Sequence, residues 1–170
     1  MALATLNDVF VDQIEDLYSA EMQLVEALPK VAAAAQDEQL REAFQTHLEE
    51  TRGHVDRLTR IFREVGLSSA GHKKCEGMAG LLAEGEQIIN QPGAGPAKDV
   101  ALIAAAQRVE HYEIAAYGTA RSLADELDYD DAKGLLNDTL DEESAADGLL
   151  TKIATGGLMR SGLNAEAKNS

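Results

Sequence analysis

The sequence predicts an all-α protein, an antiparallel four-helix bundle. Aromatic residues make up only 4% of the chain and Trp is absent, which leaves Ala, Leu, Ile and Val to fill the core. That mixture favours close-packed helices over sheets. Apolar residues also recur at helical spacing in four long segments. The connections between those segments run short, long, short, which describes two antiparallel hairpins joined by a crossover. With 45% hydrophobic and 26% charged residues, 170 residues suit a single domain. The bundle is assigned to residues 1–160 and a flexible C-terminal tail to 161–170.

The first helix begins near Thr5 or Asn7, polar caps that precede Val9, Phe10, Ile14, Leu17, Leu24, Val25 and Leu28. It runs to about Ala35, with Pro29 inside it predicting a kink or an early end. The second opens at Asp37, a good N-cap, continues through Leu40, Phe44, Leu48, Val55, Leu58 and Phe62, and stops at Gly66. So short a connection makes the two antiparallel neighbours. Residues 68–96 read as a crossover whose Met78, Leu81, Leu82, Ile88 and Ile89 form a short extra helix. The third long helix spans roughly 97–127 and, after a short turn at Asp128 to Asp130, the fourth runs from about 130 to 155. Gly156 and Gly157 end it, and the tail from Ser161 is expected to fray.

The formal net charge of −15 argues against gripping nucleic acid phosphates or an anionic membrane. Arg57, Arg60 and Arg63 alternate with Asp56 and Glu64, as on a solvated face. The N-terminal stretch lacks a cationic segment followed by an apolar run, and no apolar run is long enough to span a bilayer, so a cytoplasmic location is expected. Cys75 is the sole cysteine and is read as a reduced thiol; His72 nearby makes an incidental pair rather than a zinc site.

Within this plan, some acids sit where apolar residues belong. Neighbours on a helix face lie three, four and seven residues apart. By that rule Glu21 is surrounded by Ile14, Leu17, Tyr18, Leu24, Val25 and Leu28. Glu110 and Glu113 share a stripe with Ile103, Ala106, Ile114, Tyr117 and Ala120. Glu143 lies among Leu136, Thr139, Leu140, Ala146 and Leu150, with Asp147 one turn on, and Glu50 among Ala43, Thr46, His47, Gly53 and His54. Each long helix thus offers at least one acid from an inward face.

Spacing supports the pattern. Glu21 precedes Glu50 by 29 residues and Glu113 precedes Glu143 by 30, while "EET" at 49–51 matches "EES" at 142–144. The hairpins read as diverged copies about an approximate twofold axis, which would gather Glu21, Glu50, Glu113 and Glu143 at one level. Buried ionised acids cost several kcal/mol each and repel one another. Basic side chains lie mostly elsewhere, so the expected compensation is one or two metal ions held by oxygen and imidazole ligands. His54 reads equally as a ligand or as a surface or hydrogen-bonding residue, His47 as a residue beside the ligands or in the core, and His111 as facing outward. Tyr18 and Tyr117 read as packing residues that hydrogen-bond an acid.

The blocks "LYSAEMQLVEALPK" (17–30), "AFQTHLEET" (43–51), "KKCEGMAGLLAEG" (73–85), "DVALIAAAQRVEHYEIAAYGT" (99–119) and "LLNDTLDEES" (135–144) resemble, in order, the YciE/YciF-like stress proteins of bacteria within the ferritin-like superfamily. The resemblance covers nearly the whole chain. It implies a ferritin-like bundle, a homodimer and a centre of two metal ions, iron or manganese, similar to that of rubrerythrins and manganese catalases. By position it assigns Glu21 and Glu50 from the first hairpin and Glu110, Glu113 and Glu143 from the second. The usual His three residues after the second Glu falls here on Gly53 and Ala146; His54 and Asp147 come four after. Both can still reach one centre, and the site becomes richer in carboxylates.

Three functions follow, in order: a dimetal oxidase or peroxide-removing enzyme acting on a small oxidant, a non-catalytic metal-binding or storage protein, and a structural stress protein. Oxygen-rich sites accept several metals, so the choice between iron and manganese stays open.

Overall fold

The computed structural model describes residues 3–67, 73–157 and 160–169. Four long helices form the expected bundle: α1 (Leu6–Ala34), α2 (Glu38–Glu64), α4 (Pro96–Glu126) and α5 (Asp130–Thr155), with α3 (Glu76–Asn90) on the crossover. The α1–α2 and α4–α5 hairpins pack so that α1 faces α4 and α2 faces α5.

Local chemistry sets the ends. Thr5 and Asp8 form a reciprocal capping box at α1, the Thr5 hydroxyl accepting from the Asp8 N–H at 3.1 Å and the Asp8 carboxylate from the Thr5 N–H at 2.9 Å. Asp37 caps α2 by accepting the Leu40 N–H at 3.0 Å, and Gly66, at φ 76°, follows its C-terminus. α1 runs through Pro29 to Ala34, so the early end does not occur. Proline removes a single backbone donor, while Leu24, Leu28 and Ala32 keep this face of the helix buried on both sides of it. Asp99, buried at the start of α4, accepts the backbone N–H groups of Gln36 and Asp37 at 2.9 and 2.8 Å and ties the α1–α2 turn to the second hairpin.

The crossover is pinned to α1 at Cys75, whose N–H donates to the Ser19 hydroxyl at 2.9 Å and whose carbonyl accepts from Gln23 at 3.1 Å. Cys75 also caps α3, and His72 lies outside the described residues.

The tail differs from expectation. Gly156–Gly157 (β1) pairs with Arg160–Ser161 (β2), and Leu163–Asn169 forms a further helix, α6, against α4 and α5. Leu163, 3% exposed, anchors it in the core. One large apolar residue, with only Ala165 and Ala167 beside it in a polar decapeptide, is too weak a periodic signal to predict a helix, yet burying it stabilises one.

Candidate metal centre

Each long helix presents an inward stripe whose steps alternate between three and four residues. On α2 the buried stripe runs through Leu40, Phe44, His47, Thr51, His54, Leu58 and Ile61, with Phe62 beside its end. On α1 the same rhythm takes in Phe10, Ile14, Leu17, Glu21, Leu24 and Leu28. The bundle therefore buries Glu21, Glu110, Glu113 and Glu143 together with both histidines of α2, every one at 5% exposure or less.

Two groups of ligand atoms lie within 4.8 Å of one another: His47, Glu110, Glu113 and Glu143 in one, and Glu21, His54 and Glu143 in the other. Glu143 joins them, its Oε2 being 3.7 Å from His47 Nε2 and its Oε1 3.0 Å from His54 Nδ1. Glu110 Oε1 stands 3.5 Å from His47 Nε2, and Glu21 Oε1 3.3 Å from His54 Nδ1. These approaches lack hydrogen-bond geometry. Both oxygens of Glu113 and of Glu143, Oε2 of Glu21 and of Glu110, His47 Nε2 and His54 Nδ1 are buried without a hydrogen-bond partner. Orphaned acceptors at this density are rare in folded proteins. A carboxylate and imidazole donor set of this kind suits iron, manganese or zinc.

The outward ring nitrogens are occupied. His54 Nε2 lies 2.9 Å from Glu142 Oε2, and Arg57 clamps Glu142 with two bonds of 2.7 and 2.6 Å while reaching the Thr139 hydroxyl at 3.1 Å. His47 Nδ1 lies 3.4 Å from Glu50 Oε2. A carboxylate on the far nitrogen fixes the ring and its tautomer, leaving the near nitrogen for the centre. Tyr117 donates to Glu21 Oε1 at 2.5 Å, as the sequence predicts, whereas Tyr18 packs edge-on against Phe62.

Electrostatics follow the geometry. Burial pushes the Glu113 and Glu110 carboxyls well above the ordinary range; for Glu113, Glu143 and Glu21 add to this, and for Glu110 the nearby His47 only partly opposes it. Glu21 is also raised by burial, against the pull of His54. Burial would raise Glu143 too, but His54 and His47 outweigh it and hold its carboxyl low. Burial alone would lower both imidazoles; the surrounding acids reverse this, raising His47 to about 9 and His54 to about 10. Without metal, the cluster is therefore balanced by bound protons.

Of the residues predicted for the site, the fold brings Glu21, His54, Glu110, Glu113 and Glu143 together. Glu50 and Asp147 belong to neither group of ligand atoms. Glu50, with its side chain 38% exposed, backs His47 from outside, and Asp147 pairs with Gln107 at 2.9 Å and with His111 at 3.3 Å. His111 is exposed, as expected. Sequence reasoning placed His47 beside the site, and the structure puts it among the converging atoms. Its position seven residues before His54 on the buried stripe was the available signal. Glu142 and Arg57 carried none, because their roles depend on which faces of α2 and α5 meet.

Two antiparallel helical hairpins, a crossover helix between them and a buried carboxylate–histidine cluster define a ferritin-like bundle. The chain belongs to the family described as a domain of unknown function, DUF892, which it matches over residues 5–164. It is 45% identical over 154 residues to Protein YciF of Escherichia coli (strain K12), covering 91% of this chain and 93% of that one. The crystal structure of the E. coli stress protein YciF aligns with a TM-score of 0.85 over 88% of this chain and 94% of that chain. YcfI from Rhodopseudomonas palustris, 36% identical, aligns with a TM-score of 0.86 over 89% and 96%. A dodecameric thioferritin, the bacterioferritin-related protein of Bacteroides fragilis, shares the fold at 16% identity, with a TM-score of 0.67 over 97% and 89%. Among the described residues no helix is long and apolar enough to cross a membrane.

Proposed function

We propose that the cluster holds two metal ions, iron or manganese, and that the protein serves bacterial stress responses as a dimetal oxidase or peroxide-removing enzyme. His47, Glu110, Glu113 and Glu143 would hold one ion, and Glu21, His54 and Glu143 the other, with Glu143 shared. The carrying observation is the convergence of buried oxygen and nitrogen atoms that have no hydrogen-bond partner. Either metal would supply one-electron chemistry towards dioxygen or peroxide. The chain's own residues orient and insulate the site: Glu142 and Arg57 hold His54, Glu50 holds His47, and Tyr117 holds Glu21. Cytoplasmic location and assembly as a homodimer belong to this reading; the stress role extends the description of the E. coli relative.

Anaerobic titration of metal-free protein with Fe(II) or Mn(II) tests it. Two equivalents are expected for the wild type and fewer than one for Glu143→Ala, with peroxide- or oxygen-dependent turnover lost in Glu113→Ala. Bound metal with no turnover of either oxidant would leave a non-catalytic metal-binding protein. A structural stress protein is the second reading, favoured by the two raised histidines, which already offset part of the negative charge. It requires substoichiometric metal and a thermal midpoint that added metal does not move.

A further inference from the structure

Among the described residues, a cavity of about 110 Å³ between α2 and α5 and a cleft of about 740 Å³ between α1, α3 and α4 both approach the cluster. They differ in chemistry. The outer end of the α2–α5 cavity is formed by Thr46, Ala145 and Leu149, all exposed, and by Glu50, whose side chain is 38% exposed. His47 and Glu110 close its inner end. Its described lining thus carries two carboxylates and an imidazole, and no Lys or Arg. The cleft is floored by Leu24, Leu28, Leu102 and Val109 and has Lys30 and Lys74 in its walls.

The candidate ligands are unevenly enclosed. Glu21, His54, Glu113 and Glu143 are 0% exposed and line neither opening, whereas His47 and Glu110 retain 5% and 3% of their surface. The way to Glu21 and His54 therefore leads past His47 and Glu110. A cation gives up its water only where other oxygen or nitrogen atoms replace it, and an apolar floor offers none. The α2–α5 cavity has room for several water molecules, and it presents in turn the Glu50 carboxylate, the His47 ring and the Glu110 carboxylate. Glu50 meets His47 across 3.4 Å, a contact long enough to yield to an arriving cation.

We propose that the α2–α5 cavity is the port by which divalent cations enter and leave the centre, with Glu50 as the capture group at its mouth and His47 and Glu110 as the residues that receive the ion. The port rests on the metal reading above, and it gives Glu50 a second task besides its hold on His47.

Co(II) is a suitable probe, because its visible absorption changes when imidazole and carboxylate replace water. Stopped-flow mixing with metal-free protein gives the rate of uptake, and transfer to excess chelator gives the rate of release. A side chain that narrows a port without touching the bound ion raises the barrier equally in both directions and leaves the equilibrium where it was. Ala43→Leu and Ala146→Leu, in the walls of the cavity, should therefore slow uptake and release alike, by roughly tenfold, at wild-type affinity and stoichiometry. Glu50→Gln should slow uptake by about threefold at low ionic strength and lose that deficit in high salt. Ala27→Phe and Ala105→Phe, which fill the cleft, should leave both rates unchanged. Wild-type rates in both cavity variants, or slowed exchange in the cleft variants instead, overturn the port. So does a loss of Co(II) affinity that matches the slower uptake while release is unchanged, since the larger side chains would then be distorting the ligands. Absence of Co(II) binding by the wild type would overturn the metal reading and the port with it.

Discussion

Glu142 is only partly buried and contributes no atom to either group of candidate ligands, yet it governs what His54 can do. With Arg57 bonded to both its oxygens, its carboxyl is held below the usual range and accepts from the His54 Nε2–H, directing Nδ1 between Glu21 and Glu143. Partners of this kind are worth roughly 10- to 100-fold in metal affinity. Glu142→Gln is therefore expected to weaken Mn(II) binding by about that factor in calorimetric titration while leaving the circular dichroism spectrum unchanged. Glu50→Gln, acting on His47 from a more exposed position and across 3.4 Å, should cost less than tenfold and keep the stoichiometry. His47→Ala should remove one equivalent. If Glu50→Gln loses an equivalent and His47→Ala does not, the roles given to these two residues are exchanged.

At the scale of elements, legibility followed periodicity. The alternation of three and four steps could be read from each helix alone, and it correctly turned Glu21, Glu110, Glu113 and Glu143 inward. The same neighbour rule, supported by the match to Glu143 in the other hairpin, also turned Glu50 inward, but on α2 the buried stripe passes through His47, Thr51 and His54 and leaves Glu50 at its edge. The copies have drifted by a fraction of a turn, and an approximate symmetry cannot register that. Contacts between helices, such as Arg57 with Glu142 or Asp99 with the α1–α2 turn, depend on relative rotation and carry no local pattern. α6 was missed for a different reason, since its existence rests on burial of Leu163 and on the close approach at Gly162. A Cβ at Gly162 would lie 2.2 to 2.4 Å from backbone atoms of Ala154, Thr155 and Gly156. Gly162→Ala should thus force the hairpin away from the end of α5 and destabilise by about 1–3 kcal/mol. Scanning calorimetry of the metal-free protein should show a fall of several degrees, and an unchanged midpoint would mean that α6 adds nothing to stability.

For the whole molecule, the cluster is an electrostatic load that the fold carries in one of two ways. Without metal it carries the load on protons. His47 and His54 have folded-state pKa values of about 9 and 10 against the ordinary 6.5, and Glu21, Glu110 and Glu113 are also raised. A group whose pKa is raised by folding stabilises fully below its unfolded pKa, and that stability is lost as pH rises through the folded value. For the histidines the window runs from about 6.5 up to about 10, and the raised acids add losses of the same sign that begin lower. Glu143 has the opposite sign, but its depressed pKa acts only below the ordinary carboxylate range, outside this window. The metal-free protein should therefore lose stability steadily between pH 6.5 and 10, by an amount on the order of a few kcal/mol. A bound dication inverts the balance, because ligands must shed their protons to coordinate it and binding tightens as pH rises. Manganese-loaded protein should accordingly keep its thermal midpoint across the same window, and the gap between the two forms should widen towards alkaline pH. Chemical denaturation at a series of pH values, with and without Mn(II), measures that gap. Parallel curves would show that these six side chains are not where the ion binds.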